Sequence, residues 1–312
     1  MNRIMIIALI TLVSSLMTVI FAFTSIRVAN NADRPSIVVD TELPQTPEKL
    51  TVLKIEPFSV TEQDISLIAS ELFDLNGEIS YSDGVWKVVD EAHERELLIY
   101  DSGFIRFFDR YKLRTSMIEE SKIMDKEELL EKANEFIMKL NSLGLMPMNV
   151  TIGLSSEDSI VNDMISIMYR NGTTRSYVNN VHVNYKLYYE GLELYGPGAK
   201  FRIYFDDKGN VIGFLGVFFR VKEYKELTIL SPMDAVNKLY DVGFGRSMPI
   251  NLVDRAVVKS IKLVYFVPTP SVNTTYIIPA YIIKGELIGK NGEKQEFIQI
   301  VWAVSMDELK HF

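Results

Sequence analysis

Cysteine is absent from this sequence of 312 residues, and its absence removes several kinds of chemistry at once. Disulfide bonds, thiolate metal sites, cysteine nucleophiles and lipid attachment to an N-terminal cysteine all need a thiol. The chain must therefore be stabilised by burial of apolar side chains, and it is long enough for this. The same absence does not decide the redox compartment, because many exported proteins of prokaryotes also lack cysteine.

Histidine is scarce as well, with three residues scattered along the chain. None belongs to a His-Glu-x-x-His motif or to another pair of histidines at helical spacing, which is the usual pattern of zinc ligands. We expect His93 to lie in a charged turn between strands, His182 to be packed or hydrogen-bonded within a strand, and His311 to lie in the C-terminal tail.

Motifs of nucleophilic and nucleotide chemistry are also missing. The chain has no Gly-x-Ser-x-Gly motif, and the stretch 285–291 resembles a phosphate-binding loop without the Ser or Thr that should follow Lys290. The stretch 206–210 offers two carboxylates and an amide to a calcium ion, but Gly209-Asn210 favours a hairpin turn. We therefore predict no catalytic, cofactor-binding or metal-binding residues and a protein that is not an enzyme.

Basic residues are fewer than acidic residues, and the formal net charge is −8. The acidic residues all follow the N-terminal segment, since the first of them is Asp33. An acidic surface repels phosphate backbones, which disfavours nucleic acid as a partner. Hydrophobic residues make up 47% and charged residues 24% of the chain, as in ordinary globular proteins. The abundance of tyrosine and phenylalanine favours strands.

The N-terminus carries one long apolar stretch, from Ile4 to Ile26, without a charged residue. At 1.5 Å per residue it spans about 34 Å, enough for the hydrocarbon core of a bilayer of about 30 Å. We predict a transmembrane segment that contacts membrane lipid through residues 4–26. A buried helix of a globular domain is the alternative, but such helices are rarely so long and so uniformly apolar.

An uncleaved signal anchor over residues 1–27 is favoured over a cleaved signal peptide. The apolar stretch is longer than that of most signal peptides, and it ends without a small-x-small cleavage site. Arg3 and the α-amino group precede the stretch, whereas Arg27 and Arg34 follow it with Asp33 partly offsetting them. This weak positive-inside bias predicts a single-pass protein of the cell membrane with its C-terminal part outside the cytoplasm.

The pattern after the membrane segment predicts an α+β fold. Residues 28–50 are polar and punctuated by proline, as in a linker, and order is expected to begin near Leu50. Two or three units then follow, each with one helix packed on an antiparallel meander sheet. The units are predicted at 51–118, 119–228 and 229–312. Thr61, Asp125 and Ser231 are the predicted N-caps of their helices.

Strands are predicted wherever apolar residues alternate between turn signals. After the second helix they are expected at 164–170, 178–189, 199–205 and 211–221. This region is rich in aromatic residues. Packing of these residues against the next unit of the same chain is favoured over an exposed face that binds a partner. The aromatic set comprises Tyr185, Tyr188, Tyr189, Tyr195, Phe201, Tyr204, Phe214, Phe218 and Phe219.

A family resemblance appears in Val181–Val221. Tyr189-Glu190-Gly191, Gly196-Pro197-Gly198 and the turn at 206–210 follow one another as in PepSY and thermolysin-propeptide domains. Stretches 231–235 and 280–304 resemble the start and end of such a unit, although 303–307 lacks the usual closing Asp-x-x-x-Gly. The layout of one membrane span followed by α+β units also resembles the YycI and YycH accessory proteins of a sensor kinase.

These observations together predict a membrane-anchored extracytoplasmic binding or regulatory protein that acts through protein–protein contact. The resemblances imply a sensor kinase or a peptidase as the kind of partner. A structural component of the cell envelope and an exported enzyme are the alternatives. Sequons at Asn149, Asn171 and Asn273 allow glycosylation in an exported chain, but the sequence does not decide their occupancy.

We expect the full-length protein to fractionate with membranes and its C-terminal part to be digested when protease is added to intact cells or spheroplasts. The physical reason is the length and uniform apolarity of 4–26. A full-length product in the soluble cytosolic fraction that resists the added protease would overturn the topology.

Overall fold

The computed structural model describes residues 34–56, 58–116, 118–119, 123–147, 149–155, 159–244, 248–269 and 276–310. The predicted membrane segment at 4–26, His311 and the sequon at Asn273 lie outside these ranges. Among the helices formed by the described residues, none combines the length and the apolarity that crossing a bilayer requires.

The helices follow the predicted capping signals. They are α1 (Glu62–Phe73), α2 (Arg110–Thr115), α3 (Lys126–Ser142), α4 (Pro232–Asn237), α5 (Leu239–Val242) and α6 (Met306–Leu309), with short 3-10 turns at Glu91–His93, Pro197–Ala199 and Ile250–Leu252. The Thr61 hydroxyl accepts a hydrogen bond from the Asp64 amide, and the Asp64 carboxylate accepts one from the Thr61 amide. Asp125 and Ser231 cap α3 and α4. The three predicted caps are confirmed.

Strands make up most of the remaining described residues. They are β1 (Ser36–Val39), β2 (Lys49–Glu56), β3 (Glu78–Ser82), β4 (Val85–Asp90), β5 (Arg95–Tyr100), β6 (Phe104–Asp109), β7 (Thr151–Leu154), β8 (Ile160–Met168), β9 (Thr174–Tyr189), β10 (Leu192–Tyr195), β11 (Phe201–Phe205), β12 (Val211–Val217), β13 (Arg220–Thr228), β14 (Val253–Phe266), β15 (Tyr276–Gly289) and β16 (Lys294–Trp302). The predicted mixed α+β class, with a large antiparallel sheet, is confirmed.

The chain forms two compact units. The larger consists of residues 43–238, 261–283 and 300–312, and the smaller, in its described part, of 34–42, 239–244, 248–260 and 284–299. The domain boundaries predicted from the sequence stay a prediction.

The central sheet of the larger unit runs β10-β9-β11-β12-β6-β5-β4-β3, with antiparallel neighbours throughout. Strand β12 pairs with β6, from Gly213 opposite Phe108 to Val217 opposite Phe104. The first and second predicted units therefore share one sheet, and the expectation of a separate meander for each was wrong. An outer strand of a meander presents unpaired backbone groups, and here a second meander satisfies them.

Two further expectations are corrected. Strand β1 and the first residues of β2 lie within the segment 28–50, which was predicted to be a linker without order. Strand β1 pairs in parallel with β14, from Ser36 opposite Arg255, and this long-range partner cannot be seen in the local pattern. The single strand predicted at 211–221 is two strands, β12 and β13, which are separated by Phe218 and Phe219. At this break the Phe218 amide donates a hydrogen bond to the Gly103 carbonyl oxygen at 2.7 Å.

An aromatic cluster joins the helices to the central sheet. Phe214 of β12 is fully buried, and its ring lies 6.2 Å from that of Phe73 in α1 and 5.1 Å from that of Phe136 in α3. The rings of Phe201 and Phe218 lie 5.3 and 6.0 Å away. Aromatic pairs at such distances contribute more than their buried area alone. One side chain therefore ties two helices and two further segments together.

We expect Phe214→Ala to lower the free energy of unfolding by about 3–5 kcal/mol. The substitution leaves a cavity, and the four surrounding aromatic rings belong to different segments that cannot all move in to fill it. Met138→Ala is the control, since Met138 is a large apolar residue exposed on α3, and it should change stability by less than about 0.5 kcal/mol. Urea unfolding followed by circular dichroism measures both. Equal effects of the two substitutions would contradict the role of Phe214.

Candidate interaction surface

The two faces of β9 differ in chemistry. Val181, Val183 and Leu187 point to the face that packs on the helices and are fully buried. Because side chains alternate along a strand, the residues between them lie on the other face. This second face carries polar side chains where an ordinary covered sheet would carry apolar ones.

His182 lies on the second face and is buried. Its imidazole lies 5.0 Å from the Tyr204 ring, and its Nδ1 lies 3.4 Å from a carboxylate oxygen of Asp163. Burial, with a further contribution from the positive charge of Arg202, lowers the pKa of His182 to about 4. The imidazole is therefore neutral at pH 7, and the expectation of a packed histidine within a strand is confirmed. His93 lies in the short turn Glu91–His93, where its Nδ1 is 2.8 Å from Asp90.

The turn at 206–210 is a hairpin between β11 and β12, as predicted. One carboxylate oxygen of Asp206 accepts hydrogen bonds from the amides of Lys208 and Asn210, at 3.0 and 2.9 Å. The other oxygen lies 2.9 Å from the Lys112 ammonium. Burial alone would raise the pKa of Asp206, but the hydrogen bonds from Lys112 and Asn210 outweigh it and the pKa is lowered. Within the described ranges, no group of three acidic or histidine side chains is placed to hold a metal.

The aromatic set packs largely within the chain. Tyr185, Tyr189, Phe201, Tyr204, Phe214, Phe218 and Phe219 are each at most 9% exposed. Tyr188 and Tyr195 are partly exposed. Of the two interpretations of this set, the structure therefore supports packing within the chain, because most of these rings are buried.

An exposed apolar surface is found elsewhere, on the hairpin formed by β8 and the first half of β9. We call residues 164–178 the β8–β9 arm. Its pairs run from Met164 opposite Val178 to Met168 opposite Thr174. Met164, Met168 and Tyr169 are 59%, 77% and 41% exposed.

Polar contacts hold the arm in one register. The hydroxyls of Ser166 and Ser176 lie 2.9 Å apart across the strands, and those of Tyr169 and Tyr177 lie 3.1 Å apart. At the tip, the Asn171 side-chain oxygen accepts from both the amide and the hydroxyl of Thr173. The arm is therefore an ordered ribbon, although a two-stranded hairpin gains little stability by itself in water.

The arm also presents unpaired backbone. In the described part of the chain β8 pairs with β9 alone, so its outer N–H and C=O groups have no strand beside them. At the base, Ile118 forms an isolated bridge with Val178 and closes the β9 edge there. A free strand edge next to exposed apolar side chains is a template for pairing with another chain.

The tip of the arm is basic in an acidic protein. Arg170 and Arg175 are exposed, and among the described residues no carboxylate forms an ion pair with either guanidinium. Methionine, aromatic residues and arginine are the types enriched at the centre of protein interfaces. Asn171, the acceptor of one sequon, is exposed at this tip, and Asn149 is exposed at a residue with positive φ.

The sequence contained part of this signal. Strands were predicted at 164–170 and 178–189. The structure starts both strands earlier, β8 at Ile160 and β9 at Thr174. Apolar residues on both faces of 160–168, followed by Asn171-Gly172, could have indicated a hairpin that no layer covers.

Solved structures that are similar to this chain share little of its sequence. No protein-family model matches the chain, and no curated protein matches its sequence. A solved structure of an uncharacterized protein from Eubacterium rectale is similar, with 14% identity, a TM-score of 0.49 and coverage of 89% of this chain and 90% of that one. YycH from Bacillus subtilis is a more distant neighbour, with 10% identity, a TM-score of 0.38 and coverage of 81% of this chain and 53% of that one.

YycH is one of the proteins whose layout the sequence resembles. At these TM-scores neither likeness carries an argument about function. The resemblance to PepSY domains stays a resemblance, since no family model matches.

We expect the stability of the protein to fall as the pH drops from 7 to 4, in part through His182. Its folded pKa of about 4 lies below the unfolded value of 6.5, so the unfolded state binds more protons in this window. The contribution is full above pH 6.5 and declines by about 2–3 kcal/mol toward pH 4. His182→Gln should flatten this slope in urea unfolding series, and His93→Gln serves as the mutational control. An unchanged slope in His182→Gln would contradict the assignment.

Proposed function

We propose that this protein is a membrane-anchored, extracytoplasmic binding or regulatory protein without enzymatic activity, and that the β8–β9 arm contacts its partner. The anchor is supported by the apolar stretch at 4–26. The observation that carries the contact is the arm, which exposes large apolar side chains beside a free strand edge. A sensor kinase or a peptidase of the same membrane is the partner class that the sequence resemblance favours.

The chemistry of the arm restricts the partner further. An extended segment of the partner can add to the free edge of β8, where backbone hydrogen bonds provide affinity. Met164 and Met168 would then lie against alternate apolar side chains of that segment, because they share one face of the strand. Arg170 and Arg175 favour acidic residues near the end of the segment. We therefore infer an extended acidic and apolar segment as the binding element.

The arm suits a contact that forms and dissociates. A contact confined to the arm would be small, and its affinity would depend on a few anchoring side chains. Regulation by a reversible contact needs a moderate affinity of this kind. A structural envelope component would instead use the same edge to pair with further copies of the chain.

The test is photo-crosslinking in intact cells with a benzophenone amino acid at position 168, compared with position 138. Met138 is the matched control, since it is a methionine of similar exposure on α3. We expect one adduct of defined mass at 168 and none at 138. Arg170→Glu with Arg175→Glu should reduce the adduct by about tenfold or more, because it places like charges against the acidic segment.

The outcomes separate the candidate functions. An adduct of a second polypeptide that is lost on charge reversal supports the proposal. An adduct with the mass of two copies of this chain supports the structural alternative, and equal labelling at 168 and 138, or no adduct at 168, overturns the role of the arm.

A further inference from the structure

A groove of about 560 Å³ lies in the larger unit, lined by residues of β9, β10 and β11 and by residues from the β14 and β16 regions. Tyr195, Phe266 and Ile300 form an apolar wall that belongs to a small core cluster separate from the main one. Asn184, Lys186 and Arg202 lie on the polar side. Grooves of this volume with an apolar lining and a few polar groups are typical of small-molecule sites.

The charges of the groove do not cancel. Glu193 is buried, and its carboxylate pairs with the ammonium groups of Lys262 and Lys186, the latter at 3.6 Å. Its negative charge is therefore already compensated. Arg202 and Lys200 remain, and the described residues offer neither of them a carboxylate within 4 Å.

The Arg202 guanidinium is held in place by neutral partners. Its Nε donates to the Asn184 side-chain oxygen at 2.6 Å, and its Nη1 donates to the Tyr204 hydroxyl at 3.1 Å. The guanidinium also lies over the Tyr204 ring, 5.7 Å from its centroid. These contacts fix the orientation of the guanidinium and leave N–H groups for an anion. Arginine has a planar fork of donors that fits a carboxylate.

We propose that this groove binds a small monocarboxylate with an apolar body. The carboxylate pairs with Arg202, and the apolar body lies against Tyr195 and Phe266. The site is distinct from the β8–β9 arm, so this inference goes beyond the proposed function and does not depend on it.

The test uses the full-length chain in lipid nanodiscs, titrated with 4-phenylbutyrate in a calorimeter, with empty nanodiscs as the blank. The neutral 4-phenylbutan-1-ol and the cationic 4-phenylbutylamine have the same apolar body. We expect the acid to bind at least about tenfold more tightly than the alcohol, because the alcohol cannot pair with a guanidinium. The amine should not bind.

Arg202→Gln should weaken binding of the acid by about tenfold or more and leave binding of the alcohol unchanged. Arg106→Gln is the matched control, since Arg106 is also half-buried and lies over an aromatic ring but pairs with Glu96, and it should bind as the wild type does. If Arg202→Gln fails to fold, Arg202→Lys keeps the charge without the fork and should bind with intermediate affinity. Absence of binding, equal affinities for acid and alcohol, or unchanged affinity in both Arg202 variants would overturn the proposal.

Discussion

The packing around Phe214 is the constraint on which the larger unit depends. Its ring contacts side chains from both long helices and from two other segments of the sheet region, so displacement of any of them opens a void beside it. Gly216 belongs to the same arrangement. A Cβ at that position would lie 2.2 Å from the Phe214 ring, so the glycine is required by close packing and not by its backbone angles.

This core explains why polar groups can lie on the second face of the sheet. The helices cover the apolar face of the sheet. The opposite face carries ion pairs. Glu96, for example, lies within 3.4 Å of Lys87 and 3.1 Å of Arg106. Apolar groups interrupt this polar face at the groove, where Tyr195 and Phe266 lie beside Lys186 and Arg202.

Local features were readable from the sequence, and distant pairings were not. Thr61, Asp125 and Ser231 identified helix starts because capping depends on residues within one turn. The turn at 206–210 was equally local. The pairing of β12 with β6 joins segments about a hundred residues apart. The alternation of apolar and polar residues predicts each strand but does not indicate which strand it pairs with. For the same reason the sequence indicated the exposed arm only as two shorter strands.

The register of β9 changes by one residue between Asp163 and Met164 of its partner, and Asn179 is the residue left over. Its side-chain amide donates to the Leu113 carbonyl oxygen at 2.7 Å, which anchors the irregularity. Because of this offset, Val178 takes the core-side position that Asn179 would hold in a regular ladder, and every side chain toward the tip is inverted with it. The number of residues at this point therefore decides which way the side chains of the arm face. Loss or gain of one residue there would move tyrosine and arginine to the opposite face of the arm, although the amino acids of the arm itself would be unchanged.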